Sequence, residues 1–144
     1  MWHCKTSILC VTLACLTLAW LVASSGAGMA QEADVCAGAE SNLALKECLG
    51  KAYQNADKQL NVVWKQVLGT VDDADYLTPE QRNAWKKELR DAQRAWVQFK
   101  EHDCNGAVLY EWWGGSGAGA AITSCLLGYT QARTKDLKAR YLER

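Results

Sequence analysis

The predicted fold of this chain is organised around the stretch Leu89–Cys104, which has the sequence LRDAQRAWVQFKEHDC. Apolar side chains in it and just before it recur at intervals of four, three, four and three residues, at Trp85, Leu89, Ala92, Trp96 and Phe99. This spacing is typical of an amphipathic helix that lays a narrow apolar stripe on a partner. We therefore expect a long helix here, with Trp96 and Phe99 in the core.

The start of this helix is marked by Thr78, Pro79 and Gln81. Thr is a good N-cap residue, Pro is preferred at the first helical position, and Gln three residues after the cap completes a capping box. The helix is therefore predicted to run from Pro79 to about Asp103.

Another helix is predicted upstream of it, starting at Ser41 or Asn42, since either residue can act as an N-cap. Its apolar residues share one broad helical face, and Gly69 is predicted to end it, because Gly is common just after a helix. The connecting segment Thr70–Leu77 contains three aspartates and is predicted to be an acidic loop.

Residues 105–120 break the helical pattern, because five of these sixteen residues are glycines. We expect a long mobile loop that carries Tyr110, Trp112 and Trp113. A third helix follows from about Ile122 and is expected to fray near Arg144. No stretch alternates with a period of two, so the predicted fold is all-α: a small antiparallel bundle of three main helices.

The first thirty residues differ in composition from the rest of the chain. Lys5 is their only residue of the Lys, Arg, Asp and Glu types, and an apolar run at 8–23 and several small residues follow it. This is the layout of a secretory signal peptide, so we predict a signal at residues 1–30 and an exported domain at residues 31–144. Cleavage is expected before Gln31, with cleavage after Ala27 as the second choice. An uncleaved membrane anchor is the alternative, although the run falls short of the ~20 apolar residues that a transmembrane helix needs.

Charge and cysteine content narrow the classes of partner and compartment. Without residues 1–30 the chain would keep 15 of its 16 basic residues and all 16 acidic ones, a net charge of −1. A nearly neutral chain offers no electrostatic case for binding nucleic acid. Four cysteines in a small exported domain predict two disulfides among Cys36, Cys48, Cys104 and Cys125. Three pairings are possible, and we favour a bond between the first and second helices, because local pairs would constrain the unfolded chain less.

The chain shows no convincing catalytic or metal-binding group of residues. Glu101, His102 and Asp103 are consecutive, and adjacent helical side chains point about 100° apart, so the three cannot converge on one ion. The cysteines lack the close pairs of zinc sites, and a bonded cysteine has no thiolate. The glycines at 114–119 precede a helix but lack the Lys-Ser/Thr ending of a phosphate-binding loop. We therefore expect no enzyme activity, no metal and no cofactor.

Four polar residues lie at the edges of the predicted apolar faces: Asp57, Asn61, Gln93 and Arg133. They could form a polar site. A hydrogen-bonded network that sets the register of the helices is favoured, because buried polar groups in a bundle must be paired. Arg133 bonding across to Asp57 or to Gln93 would be one such pairing.

Several short motifs follow one another along residues 36–141. They are Cys48, Ala56-Asp57-x-x-Leu60-Asn61-x-x-Trp64, Ala92-Gln93-Arg94-Ala95-Trp96, Cys104, Gly114-Gly115-Ser116, Cys125 and Thr130-x-x-Arg133-x-x-x-Leu137. This ordered set resembles the LprI N-terminal domain family, with small departures at Trp64, where Tyr is more usual, and at Lys100, where Arg is usual. The resemblance implies an exported, helical, disulfide-bonded domain of the cell envelope and supplies no catalytic residues.

The family takes its name from a member that inhibits lysozyme, so the resemblance suggests a protein that blocks lysozyme or another cell-wall hydrolase in the periplasm or outside the cell. A blocker needs a protruding segment and complementary charge. The acidic loop Asp72–Tyr76 and the loop with Tyr110, Glu111, Trp112 and Trp113 both qualify, and they are predicted to lie at opposite ends of the bundle. The second loop is preferred, because Trp and Tyr are enriched in interface hot spots. Two alternatives stay open: both tryptophans fold back on the core, or the protein is a structural or interaction module of the envelope with no hydrolase target.

Overall fold

The computed structural model describes residues 35–143, so the predicted signal peptide at residues 1–30 lies outside the described residues. The helices are α1 (Asn42–Asp72), α2 (Pro79–His102), a π-helical turn (Asp103–Ala107), the short α3 (Val108–Glu111) and α4 (Ala118–Tyr141). The described residues contain no strand, and the predicted all-α fold with three main helices is confirmed. No helix in this part of the chain has the length and apolar character needed to cross a membrane.

Local signals set where α1 and α2 begin, as predicted. The Ser41 hydroxyl accepts a hydrogen bond from the backbone N–H of Ala44 at 3.1 Å. Thr78 and Gln81 form a complete capping box, with Pro79 in the first turn. These contacts satisfy backbone N–H groups that a helix start leaves without a partner.

The predicted end of α1 at Gly69 is wrong, because the helix continues to Asp72. The Thr70 hydroxyl donates to the backbone carbonyl of Val67 at 2.8 Å, and Val71 is fully buried. Burying Val71 outweighs the ~1 kcal/mol that a glycine costs inside a helix. The acidic loop is therefore shorter than predicted.

The core has two parts along the pair α1 and α4, which run in the same direction, while α2 runs against both. The first part, the large-side-chain core, lies toward the ends of α1 and α4 and consists of Leu60, Val63, Val67, Val71, Leu89 and Leu137, with Trp64, Trp85 and Trp96 packed around it. The second part, the small-side-chain core, lies toward their starts and consists of Cys36, Leu49, Ala56, Ala120 and Leu127.

The stripe on α2 reaches the core only in part. Leu89 is buried and Trp96 is half-buried, but the prediction that Phe99 belongs to the core is wrong, since its side chain is 54% exposed. Lys100 points inward instead and is only 4% exposed. It follows Trp96 by four residues and so shares its helical face, where Tyr53 offers a hydrogen-bond partner. Phe99 packs edge-on against Tyr129, with the ring centroids 5.4 Å apart.

Two disulfides are present, as predicted, but the favoured bond between α1 and α2 is wrong. Cys36 is bonded to Cys48 and Cys104 to Cys125. The first bond ties the turn before α1 to the second turn of that helix, and the second ties the π-helical turn to α4. The physical reason is the packing: α2 contacts α1 only lightly, so Cys48 and Cys104 face other partners.

The predicted long mobile loop at residues 105–120 is also wrong. Most of these residues belong to the π-helical turn, α3 and the first turn of α4, and only 112–117 lie between helices. A glycine costs a helix only about 1 kcal/mol, so these glycines do not prevent helical hydrogen bonding. Among the described residues φ is positive only at Trp113 and Gly114, at 47° and 71°.

Candidate functional site

The segment Tyr110–Trp113, here called the aromatic tip, presents large apolar side chains to solvent. Tyr110 is 68% exposed, Trp112 48% and Trp113 87%, and Glu111 is exposed between them. Contiguous exposed aromatic side chains are uncommon on monomeric proteins and mark surfaces that bind partners. The structure therefore does not fold these two tryptophans into the core.

The backbone turns sharply at the aromatic tip. Trp113 and Gly114 both have positive φ, and the N–H of Gly115 donates to the Trp112 carbonyl at 2.8 Å. A non-glycine residue in the left-handed region is disfavoured, and such residues cluster at functional sites. The turn directs Trp113 away from the bundle.

The ring of Trp112 packs directly against the backbone at Gly117. A Cβ added at Gly117 would collide with the six-membered ring of Trp112, so only glycine lets the ring lie this close to the backbone. One residue earlier, the Ser116 hydroxyl accepts a hydrogen bond from Asn42 Nδ2 at 3.2 Å. Residues 114–117, which follow the aromatic tip and are here called its returning side, are thereby attached to the start of α1.

Residues 103–109, which precede the aromatic tip and are here called its leading side, are attached to α4. Cys104 is fully buried and bonded to Cys125, and the neighbouring Asp103 carboxylate accepts a hydrogen bond from the Tyr129 hydroxyl at 2.7 Å. This hydrogen bond, with a smaller effect of burial, raises the pKa of Tyr129 above its ordinary value. Asp103, Cys104 and Cys125 are the only group of potential metal ligands that gathers in the described part of the chain. The two sulfurs are bonded to each other and offer no thiolate to a metal.

The other predicted contact segment, Asp72–Tyr76, lies at the far end of α1. The 31 residues of this helix separate the two segments by about 45 Å at 1.5 Å per residue. Asp72 pairs with Lys86, and Arg82 donates to the carbonyls of Ala74 and Leu77 at 3.1 and 2.6 Å. Tyr76 is 78% exposed there but stands alone as an aromatic residue. The acidic segment is thus a hydrogen-bonded turn without the apolar side chains of the aromatic tip.

The structure brings the four polar residues of the predicted network together in two pairs. Asn61 Nδ2 donates to Asp57 Oδ2 at 3.0 Å along α1. Arg133 Nε donates to Gln93 Oε1 at 3.0 Å, which links α4 to α2, and Arg133 Nη1 donates to Asp136 at 3.3 Å. No hydrogen bond within residues 35–143 joins one pair to the other.

Sequence reasoning missed Lys100, the centre of a cation–π cluster between the three main helices. Its Nζ donates to the Tyr53 hydroxyl at 3.0 Å and lies 5.2 Å and 5.3 Å from the ring centroids of Tyr53 and Trp96. The Arg133 guanidinium lies 5.7 Å from the same Trp96 ring. Such contacts stabilise a desolvated cation by up to ~2 kcal/mol. The spacing of four residues between Trp96 and Lys100 is the signal that could have revealed it.

The fold, the two disulfides and the aromatic tip define a small helical, disulfide-bonded domain with an exposed surface suited to a partner. A family described as lysozyme inhibitor LprI matches residues 33–137, and the chain belongs to this family. An uncharacterized protein of Rhizobium meliloti (strain 1021) is 30% identical over 106 residues, which cover 72% of this chain and 76% of that protein. No solved structure matches the chain at a significant level. The disulfides and the family together indicate an exported protein.

Proposed function

We propose that this protein is an exported inhibitor of lysozyme, and that it binds the enzyme with the aromatic tip. Family membership supports the class of function. The exposure of Trp113, Trp112 and Tyr110 on one short segment is the observation that carries the choice of surface. We assign the protein to the periplasm or the extracellular space, with residues 1–30 as its signal peptide.

The shape and chemistry of the aromatic tip suit a concave partner. Lysozyme hydrolyses glycan in a cleft between two carboxyl groups, and a projecting indole is a natural occupant of such a cleft. Burying an aromatic side chain of ~200 Å² contributes up to about 5 kcal/mol before the costs of association. Trp113 is the most exposed large apolar side chain among residues 35–143 and is therefore the proposed anchor.

We propose no catalytic role for this chain. His102 is exposed at the end of α2, and the four described cysteines are all in disulfides. A binding function needs neither a metal nor a cofactor, and the proposal includes none.

The test is a lysis assay in which lysozyme clears a suspension of cell walls in the presence of the exported, oxidised protein. We expect inhibition by the wild type and at least tenfold weaker inhibition by the double variant Trp112→Ala, Trp113→Ala. Tyr76→Ala is the matched control, because it removes a similarly exposed aromatic ring at the opposite end, and it should inhibit like the wild type.

Two outcomes would overturn the proposal in different ways. Full inhibition by the double tryptophan variant would exclude the aromatic tip as the contact surface. No inhibition by the wild type at high molar excess, across several lysozyme types, would exclude the function itself. Retention of the protein on purified peptidoglycan in that case would favour the structural or interaction module of the envelope.

A further inference from the structure

The aromatic tip is attached to the bundle very differently on its two sides. On the returning side it relies on the hydrogen bond between Ser116 and Asn42 and on the contact of Trp112 with Gly117. On the leading side a covalent bond, Cys104–Cys125, joins it to α4. The leading side is therefore the stronger attachment.

The leading side also contains the one irregular helical turn of the described residues, at Asp103–Ala107. The N–H of Val108 donates to the carbonyl of Asp103, five residues earlier, instead of four. An extra residue in a helical turn rotates every following side chain by about 100° around the axis. The direction in which α3 and the aromatic tip point thus depends on this turn.

Two side-chain contacts join the π-helical turn to α4. Cys125 is bonded to the fully buried Cys104, and Tyr129, one helical turn further along α4, donates to Asp103. The remaining side-chain hydrogen bond of this turn, from Asn105 to Glu101 at 2.6 Å, is exposed and does not reach α4.

We propose that Cys104–Cys125, assisted by Tyr129, is the positioning element that aims Trp112 and Trp113 at the partner. This inference rests on the proposed function. A tip whose direction is set before binding avoids the loss of conformational freedom that a flexible tip incurs on association. Without this disulfide the tip samples other directions, and its affinity for lysozyme falls about tenfold or more.

The other disulfide, Cys36–Cys48, supplies a matched control. It lies at the same end of the bundle but joins α1 to the turn before it, and it contacts no residue of the aromatic tip among the described contacts. The two bonds span 12 and 21 residues, so their effects on the entropy of the unfolded chain are similar. A difference in partner binding between the two variants therefore reflects the location of the missing disulfide and not a difference in overall stability.

The experiment compares the full-length exported protein with two double variants, Cys104→Ser, Cys125→Ser and Cys36→Ser, Cys48→Ser. Hydrogen exchange measures the order of residues 105–117, far-ultraviolet circular dichroism measures helix content, and the lysis assay measures inhibition. We expect the first variant to lose exchange protection at 105–117 and to inhibit at least tenfold less well, while α1 and α4 stay protected. The second variant should keep the exchange protection at 105–117 and the inhibition of the wild type.

A third variant keeps the proposal testable where a double variant does not fold. Tyr129→Phe keeps the ring and removes the hydrogen bond to Asp103, and it should increase exchange at 105–117 and weaken inhibition two- to fivefold. Unchanged exchange and inhibition in Cys104→Ser, Cys125→Ser, or equal losses in both double variants, would overturn the proposal. A wild type that inhibits no lysozyme would refute the proposed function alone, since the exchange experiment still shows whether this disulfide orders the aromatic tip.

Discussion

The two ends of the helical bundle are stabilised by different means. At the end where α1 and α4 finish, large buried side chains such as Val71 and Leu137 pack with the tryptophans of α1 and α2. At the end with the aromatic tip, the core consists mainly of small residues, and both disulfides lie there. The tip's large aromatic side chains face solvent and so contribute little to stability. Where large apolar side chains face solvent, covalent bonds supplement burial as the source of order.

The largest expected effect is the loss of a buried side chain from the large-side-chain core. Leu137→Ala should lower the free energy of unfolding by about 4 kcal/mol, because a rigid, close-packed cluster cannot collapse around the cavity. Leu127→Ala, in the small-side-chain core, should cost about 2 to 3 kcal/mol, since the buried residues around it are mostly small and offer fewer contacts to lose. Chemical denaturation of the oxidised protein measures both. A larger loss for Leu127→Ala would show that burial dominates at both ends.

A second prediction compares the two helix caps. Thr78→Ala removes the capping box of α2 and should lower the free energy of unfolding by about 1 kcal/mol. Ser41→Ala should cost less, because Cys36–Cys48 already fixes the first two turns of α1. Removing that disulfide should raise the cost of Ser41→Ala to that of Thr78→Ala. If Ser41→Ala and Thr78→Ala lower the free energy of unfolding equally in the disulfide-bonded protein, Cys36–Cys48 does not stabilise the start of α1.

The smallest expected effect is a dependence on alkaline pH that involves the hydrogen bond from Tyr129 to Asp103. The pKa of Tyr129 is raised in the folded state, so this contact stabilises the protein fully below the ordinary tyrosine pKa of about 10. The stabilisation is lost as the pH rises through the raised pKa, because the phenolate cannot donate. The contact is partly exposed, so Tyr129→Phe should cost only about 0.5 kcal/mol at neutral pH, the low end for a hydrogen bond.

Denaturation of the wild type and of Tyr129→Phe between pH 6 and pH 11 isolates this contribution, since the lysines titrate equally in both. The difference in stability should be constant at neutral pH and shrink only at the alkaline end. A difference that already shrinks between pH 6 and pH 8 would mean that another group is responsible.

Sequence patterns predicted the parts of this fold that depend on contacts a few residues apart. The capping box at Thr78 needs only residues 78–81, and the cap at Ser41 needs only its own first turn. The predictions from sequence patterns were wrong where a contact between residues far apart in the chain determines the local structure. Gly69 does not end α1, because the burial of Val71 keeps the helix going.

The same division holds for the candidate site. Tyr110, Glu111, Trp112 and Trp113 could be selected from composition, since aromatic residues beside glycines are conspicuous. Their direction could not be predicted, because it depends on one extra residue in a helical turn and on contacts with α4. The alternative that the tryptophans fold back on the core was open from the sequence for this reason.

Periodicity, capping and cysteine parity were enough to predict the all-α class, the starts of α1 and α2 and the presence of two disulfides, because these are local or compositional properties. The start of α4 was placed near Ile122, four residues too late, since no capping signal marks Ala118. The pairing of the cysteines could be read only from the packed helices, and so could the choice between Phe99 and Lys100 as the residue that faces the interior of the bundle. These outcomes depend on how closely α2 approaches α1 and α4. That distance is set by the packing of all three helices, which no single stretch of sequence encodes.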